Sequence, residues 1–158
     1  KKEEAIKYIE KAHQADPSFV PVLRLLVRMK TEMLETTVDP AARSQIEKQI
    51  LSDLGHILEK NPEDRDTALI FGGLLLKFSD PLVDSDRLDR AATIARHFAE
   101  QSQYGDEKAV MLLFDSLLKK GDVDGAEKVL KEGLKKHPRS VQLQSGLKQL
   151  KIERGIEG

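Results

Sequence analysis

The sequence predicts an all-α chain, a stack of about eight helices paired as antiparallel hairpins, and three observations carry that prediction. Apolar residues recur at helical spacing along the whole length, and no segment sustains the every-second-residue alternation of a half-buried strand. Breaks fall between the helical segments, at Asp16-Pro17, Asp39-Pro40, Asn61-Pro62, Ser79-Asp80-Pro81, Tyr104-Gly105-Asp106, Lys120-Gly121-Asp122 and His137-Pro138. The chain also repeats itself. Aligned on Pro17, Pro62 and Pro138, it places Ala5, Ile50 and Ala126 twelve residues upstream, Ile9, Leu54 and Leu130 eight upstream, and Ala12, Ile57 and Gly133 five upstream.

Each element follows from its own pattern. Ile6, Ile9 and Ala12 give a helix over 2–15; Leu23, Leu26 and Val27 one over 19–36; Ile50, Leu54, Ile57 and Leu58 one over 40–60. Asp39 before Pro40 reads as an N-cap followed by proline in the first turn, so the extra residues here lengthen two helices rather than make a loop. A helix over 64–78 contains Gly72-Gly73 in an apolar run, read as a close helix crossing, and Ser79 to Asp86 is the one loop insertion. Ala91, Ala95 and Phe98 lie on a helix over 86–103; Val110, Leu113, Phe114 and Leu117 on one over 107–120; Val123, Ala126, Val129, Leu130 and Leu134 on one over 122–136. Leu143, Leu147 and Leu150 make 140–154 an amphipathic helix suited to covering the last face of a stack, with Gly155 and the Ile156-Glu157-Gly158 tail expected to fray.

Composition bounds the function. At 158 residues the chain is one domain of ordinary size, with 34% charged residues, 4% aromatic, no Trp and no Cys. Twenty-six Lys and Arg against 27 Asp and Glu leave a net charge of -1, no field for holding nucleic acid. Without Cys there is no disulfide, thiolate metal site or Cys nucleophile, while a cytoplasmic or a periplasmic location stays open. No stretch approaches the roughly 20 apolar residues of a membrane span, so no membrane insertion is expected. The chain opens Lys1-Lys2-Glu3-Glu4 inside a repeat, and the expectation is a fragment of a longer protein.

The segment Lys119-Lys120-Gly121-Asp122-Val123-Asp124-Gly125-Ala126, continuing through Leu130 and Gly133 to Pro138, resembles the turn and second helix of the tetratricopeptide repeat family, whose unit is about 34 residues of helix-turn-helix. Glu3-Glu4-Ala5-Ile6-Lys7-Tyr8-Ile9-Glu10-Lys11-Ala12, ending at Asp16-Pro17, resembles the same second helix without its first. Gly72, ten residues after Pro62, falls where that family keeps a small residue at the helix crossing. The resemblance implies a right-handed α-solenoid, a single domain over 1–158. It divides into a second helix of a truncated repeat (1–17), a long repeat (18–62), a repeat with the loop insertion (63–106), the best-matching repeat (107–138), and a capping helix with tail (139–158). Departures are the family's first-helix aromatic, replaced by Leu23, Ala68 and Val110, and its small crossing residue, replaced by Val27 and Phe114; those units are expected to be spaced more widely.

No constellation points to catalysis, and the expectation is that the chain is not an enzyme and holds no cofactor or metal. His13, His56, His97 and His137 track the repeat and have no convergent partner at metal-ligand spacing. Asp80, Asp84, Asp86 and Asp89 are dense but lack the sharp-turn Gly and terminal Glu of a calcium loop; a helix N-cap at Asp84 or Asp86 in a solvated loop fits them better. Ser and Tyr residues have no evident general base.

The resemblance instead implies a concave surface that receives a partner peptide or helix. Carried over by register, its lining is Arg24 and Arg28, then Leu69, Gly73 and Leu76, then Met111, Asp115, Leu118 and Lys119. Arg24 and Arg28, one turn apart, either converge on one carboxylate or phosphate, or are solvated or paired with Glu32 or Glu35 on their own helix. One subtype of the family grips acidic chaperone tails through Lys and Asn; here Arg28, Gly73 and Asp115 stand where Asn would, and Lys108 alone does not make that clamp. Specificity is expected from Leu69, Leu76, Met111 and Leu118. The function read from the sequence is thus a protein-binding scaffold within a larger adaptor or assembly protein, with a structural spacer or self-association module, including a homo-oligomer, as the alternative.

Overall fold

The computed structural model describes residues 1–155; the Ile156-Glu157-Gly158 tail lies outside them, so the fraying expected there is not addressed. Among the described residues the chain is eight α-helices with no strand: α1 (Lys2–Ala15), α2 (Val20–Thr36), α3 (Pro40–Lys60), α4 (Arg65–Lys77), α5 (Ser85–Gln101), α6 (Glu107–Lys119), α7 (Val123–Lys136) and α8 (Val141–Glu153). Packing divides it into two compact units, Lys1–Phe71 and Gly72–Gly158, with the division inside α4.

In the first unit α1 packs on α2 and α2 on α3. Leu23, Leu26, Ile50, Leu54 and Ile57 are buried, each worth about 1.5–3 kcal/mol when fully removed from water. The two helices are long because their junction is fastened. Asp39 accepts from Ala42 N at 2.9 Å as the N-cap of α3, and Arg43 reaches back to donate to the carbonyls of Leu34 (2.5 Å) and Thr37 (2.9 Å) at the end of α2. Midway along the hairpin, Lys30 Nζ meets Asp53 Oδ2 at 3.0 Å with both side chains 9% exposed, an ion pair held inside the α2–α3 contact. Of the repeat positions in α1, Ala5 and Ile9 are half-buried and Ala12 is exposed, whereas their counterparts Ile50, Leu54 and Ile57 in α3 are buried.

In the second unit α5 packs on α6, α6 on α7 and α7 on α8, and α6 also touches α8. Buried Ala91, Ala95 and Phe98 meet a column of Val110, Leu113, Phe114 and Leu117 on α6, followed by Ala126 and Leu130 of α7 and Leu143 and Leu150 of α8. Gly133 permits the crossing: a Cβ there would stand 2.7 Å from Val110 Cγ1. Gly72 does the same against Leu112, where a Cβ would lie 2.7 Å from Cδ2; Gly73 has nothing within 4 Å, so only the first of the pair is needed for packing. The bulk of Phe114 at its crossing is met by Gly146 of α8, whose added Cβ would lie 3.3 Å from the ring, so a small residue on the next helix makes room for the large one.

The loop after α4 is ordered by its own polar groups. Asp80 accepts from Leu82 N at 2.9 Å, and Asp84, at the N-cap position of α5, turns its carboxylate away from the helix to accept from Asp80 N at 2.9 Å. Leu82 and Val83 stand out in solvent at 91% and 76% exposure. Helix α5 ends at Gln101, two residues earlier than the sequence suggests, because Gln103 and Tyr104 both take positive φ (53° and 64°) while Tyr104 N bonds back to Ala99 O.

Candidate functional site

Two hollows, one in each unit, gather part of the lining that the sequence singles out: Arg24 and Arg28 in one, and Leu76, Asp115, Leu118 and Lys119 in the other. The first, of about 190 Å³, lies among α2, α3 and the start of α4, with Val27, Leu54, Ile57 and Ile70 as apolar walls and Arg24, Arg28 and Thr67 as polar ones. Arg24 is committed inside the unit. Its guanidinium pairs with Asp64 at 2.7 Å and donates to Thr67 Oγ1 at 3.0 Å, while the Thr67 hydroxyl donates to Asp64 Oδ2 at 2.7 Å. The Thr67 hydroxyl and then the Arg24 guanidinium hold the Asp64 carboxyl below its usual range. The partner offered to Arg24 on its own helix, Glu32 or Glu35, is therefore replaced by Asp64, 40 residues along the chain. Arg28 makes no hydrogen bond or ion pair among the described residues, and the two guanidiniums do not share an anion there.

The second hollow, of about 300 Å³, is open to solvent and brings together Leu76 from α4, Asp115, Leu118 and Lys119 from α6, and Gln149 and Glu153 from α8. Four of these six are singled out by register; Gln149 and Glu153 are not, because the sequence of α8 reads as a cap. Their i, i+4 spacing puts them on one face, off the Leu143-Leu150 stripe, which is the available signal. Lys119 is also structural. Its ammonium donates to Leu76 O (2.8 Å) and Ser79 O (2.9 Å), closing carbonyls at the end of α4, and Arg87 does the same for Phe78 O at 2.8 Å. Asp115 is half-buried, and burial pushes its carboxyl above the usual range, with no hydrogen bond or ion pair to it among the described residues.

Leu69 and Met111 are half-buried and line neither hollow; Gly73 is half-buried with open space at its Cβ. A larger hollow, about 490 Å³, is bordered by Glu4, Lys7, Tyr8, Glu10, Lys11 and Gln14, all on α1. One helix supplies no opposing wall, so this is a surface rather than a site. Among the described residues no three His, Asp or Glu side chains gather to hold a cation, and no helix is long and apolar enough to cross a membrane. His137 is a turn residue, its Nε2 2.8 Å from Gly105 O.

No family model matches the sequence, and no curated protein matches it. Solved structures do match the fold. A crystal structure of MamA superposes with a TM-score of 0.64 at 16% identity, over 98% of this chain and 80% of that one. A second crystal structure of MamA gives 0.64 and 16%, over 98% and 74%. TTC0263, a thermophilic TPR protein of Thermus thermophilus, gives 0.61 and 15%, over 94% and 72%. At these identities the likeness speaks for the fold, and with the proline-aligned repeat it establishes that the chain has the helical-repeat fold of the tetratricopeptide-repeat proteins.

Proposed function

We propose that the chain is a non-catalytic protein-interaction scaffold that receives an extended peptide segment of a partner, as part of an adaptor or assembly protein. The observation that carries this reading is the open hollow where Leu76, Asp115, Leu118 and Lys119 meet, residues from the ends of α4 and α6. It combines apolar floor and charged rim, the mixture that gives a peptide both anchoring and register. No group of three His, Asp or Glu side chains able to hold a metal ion competes with it among the described residues.

The test is a selection of a random twelve-residue peptide library on the immobilised chain, beside a Leu76→Glu/Leu118→Glu variant. Both leucines are half-buried, and circular dichroism and the melting temperature check that the variant stays folded. Enrichment on the parent that disappears on the variant supports the reading. Enrichment on neither, or equal enrichment on both, overturns it. A self-association role is the second reading, favoured by the exposed Leu82 and Val83 of the α4–α5 loop; sedimentation equilibrium of the parent and of Leu82→Glu/Val83→Glu decides it, a monomer at all concentrations ruling it out.

A further inference from the structure

We propose that the hollow among α4, α6 and α8 takes a basic side chain, an arginine before a lysine, presented by the partner peptide; this rests on the scaffold reading above and names its partner's chemistry. Asp115 and Glu153 both border the hollow, and neither has a hydrogen bond or ion pair among the described residues. Two neighbouring cations are committed elsewhere. Lys119, on the same rim, points two of its donors at the carbonyls of Leu76 and Ser79, where its charge offsets the negative end of α4. Arg154, next in sequence to Glu153, pairs with Asp124 at 2.9 Å and Glu127 at 2.5 Å.

Helix electrostatics sharpens the point. Glu153 is the last residue of α8, and Asp115 lies one turn from the end of α6, both toward the negative ends of their helices, where an anion is disfavoured. Asp115 is in addition partly withdrawn from water without a partner in exchange. A cation entering from outside relieves all three costs together.

Shape selects which cation. The floor is Leu76 and Leu118, so the occupant needs an aliphatic stem below its charge, which Lys and Arg both have. About 300 Å³ is at the small end for a ligand site and suits one long side chain with its backbone, not a docked helix. The rim offers two carboxylates and the Gln149 amide oxygen, several acceptors in one place. A guanidinium brings five donors in a planar fork and can serve more than one of them; an ammonium acts as a point charge.

The experiment repeats the peptide selection on the full chain beside an Asp115→Asn/Glu153→Gln variant, with Glu153→Gln alone, at an exposed position, as a second variant. The expected result on the parent is a consensus with Arg or Lys at one fixed position among apolar residues, absent on the double variant. For the best consensus peptide, replacing that Arg by norleucine weakens binding by about tenfold on the parent and less than twofold on the double variant, with Lys intermediate and Glu153→Gln part-way. A consensus lacking a basic residue, or the same loss on parent and double variant, overturns the basic-side-chain assignment while leaving the scaffold reading standing. No enrichment on the parent removes both.

Discussion

The two hollows differ in what their charges are doing. In the first unit most of the ionic groups named close on one another, Arg24 on Asp64 and Thr67, Lys30 on Asp53, Arg43 on the end of α2, while Arg28 has no partner among the described residues. In the second unit Lys119 closes on backbone carbonyls, but Asp115 and Glu153 border their hollow without a partner among the described residues. The same hairpin plan therefore carries two uses of charge. Where a charge has an internal partner, removing it should cost stability; where it has none, removing it should cost nothing or help, and any loss should appear in binding instead.

The largest expected effect tests the closed side. Lys30→Met strands the Asp53 carboxylate in the α2–α3 contact, and the loss should be about 3–5 kcal/mol in denaturant unfolding. Lys30→Met/Asp53→Leu should return most of it, because an apolar pair of similar size needs no desolvation of charge. A single variant as stable as the parent would mean that Asp53 finds water, and the first unit would no longer count as closed.

Next comes the cation shared by both roles. Lys119→Met removes two hydrogen bonds to the end of α4, and a cost of about 1–2 kcal/mol in the same assay is expected. No change in stability would move Lys119 to the open side of the comparison, as a free rim residue of the hollow.

A smaller effect has a pH signature. The Asp64 carboxyl is held below its usual range, so its contribution is present above the unfolded value near 3.8 and fades as pH falls through the lower folded value. Arg24 is 51% exposed and Asp64 20%, so solvent screening limits the effect. Asp64→Asn should cost about 0.5–1 kcal/mol at pH 7, and the difference should shrink once the pH is taken below 3.8. A gap independent of pH would mean that the loss does not come from the bonds that Thr67 and Arg24 make to the ionised carboxylate.

How much of this is legible in the sequence divides along the same line. Helix positions are legible because apolar spacing and capping are local: Asp39 caps α3 as its place before Pro40 implies, and all eight helices fall within a few residues of their expected spans. Gly72 at a crossing is legible from the repeat. Pairings across helices are not. Asp64 lies 40 residues from Arg24 and Asp53 lies 23 from Lys30, and no local pattern distinguishes those partners from Glu32 or Glu35. Gln149 and Glu153 are hidden for a different reason: the leucine stripe of α8 accounts for a cap, and the i, i+4 spacing of the two on its other face is the one signal the pattern holds. Asp84 shows the limit of positional reasoning, since it stands at the N-cap while its carboxylate serves the loop behind it.

The smallest expected effect has the opposite sign and decides whether the second hollow is open. Burial raises the Asp115 carboxyl, so between the unfolded value near 3.8 and the higher folded value the folded chain binds more protons than the unfolded one. Stability attributable to this group therefore falls as pH rises through that interval, and the penalty is complete above it. Asp115→Asn keeps the shape and removes the charge, so it should stabilise the chain at pH 7 by up to about 0.5 kcal/mol and make no difference well below pH 3.8, where the carboxyl is neutral in both states. Paired melting curves at the two pH values read this out. A loss of stability at pH 7 would mean that Asp115 serves an internal cation after all, and the two units would then use their charges alike. A gain accompanied by weaker peptide binding would mean that the carboxylate is kept at a cost to folding because a partner needs it.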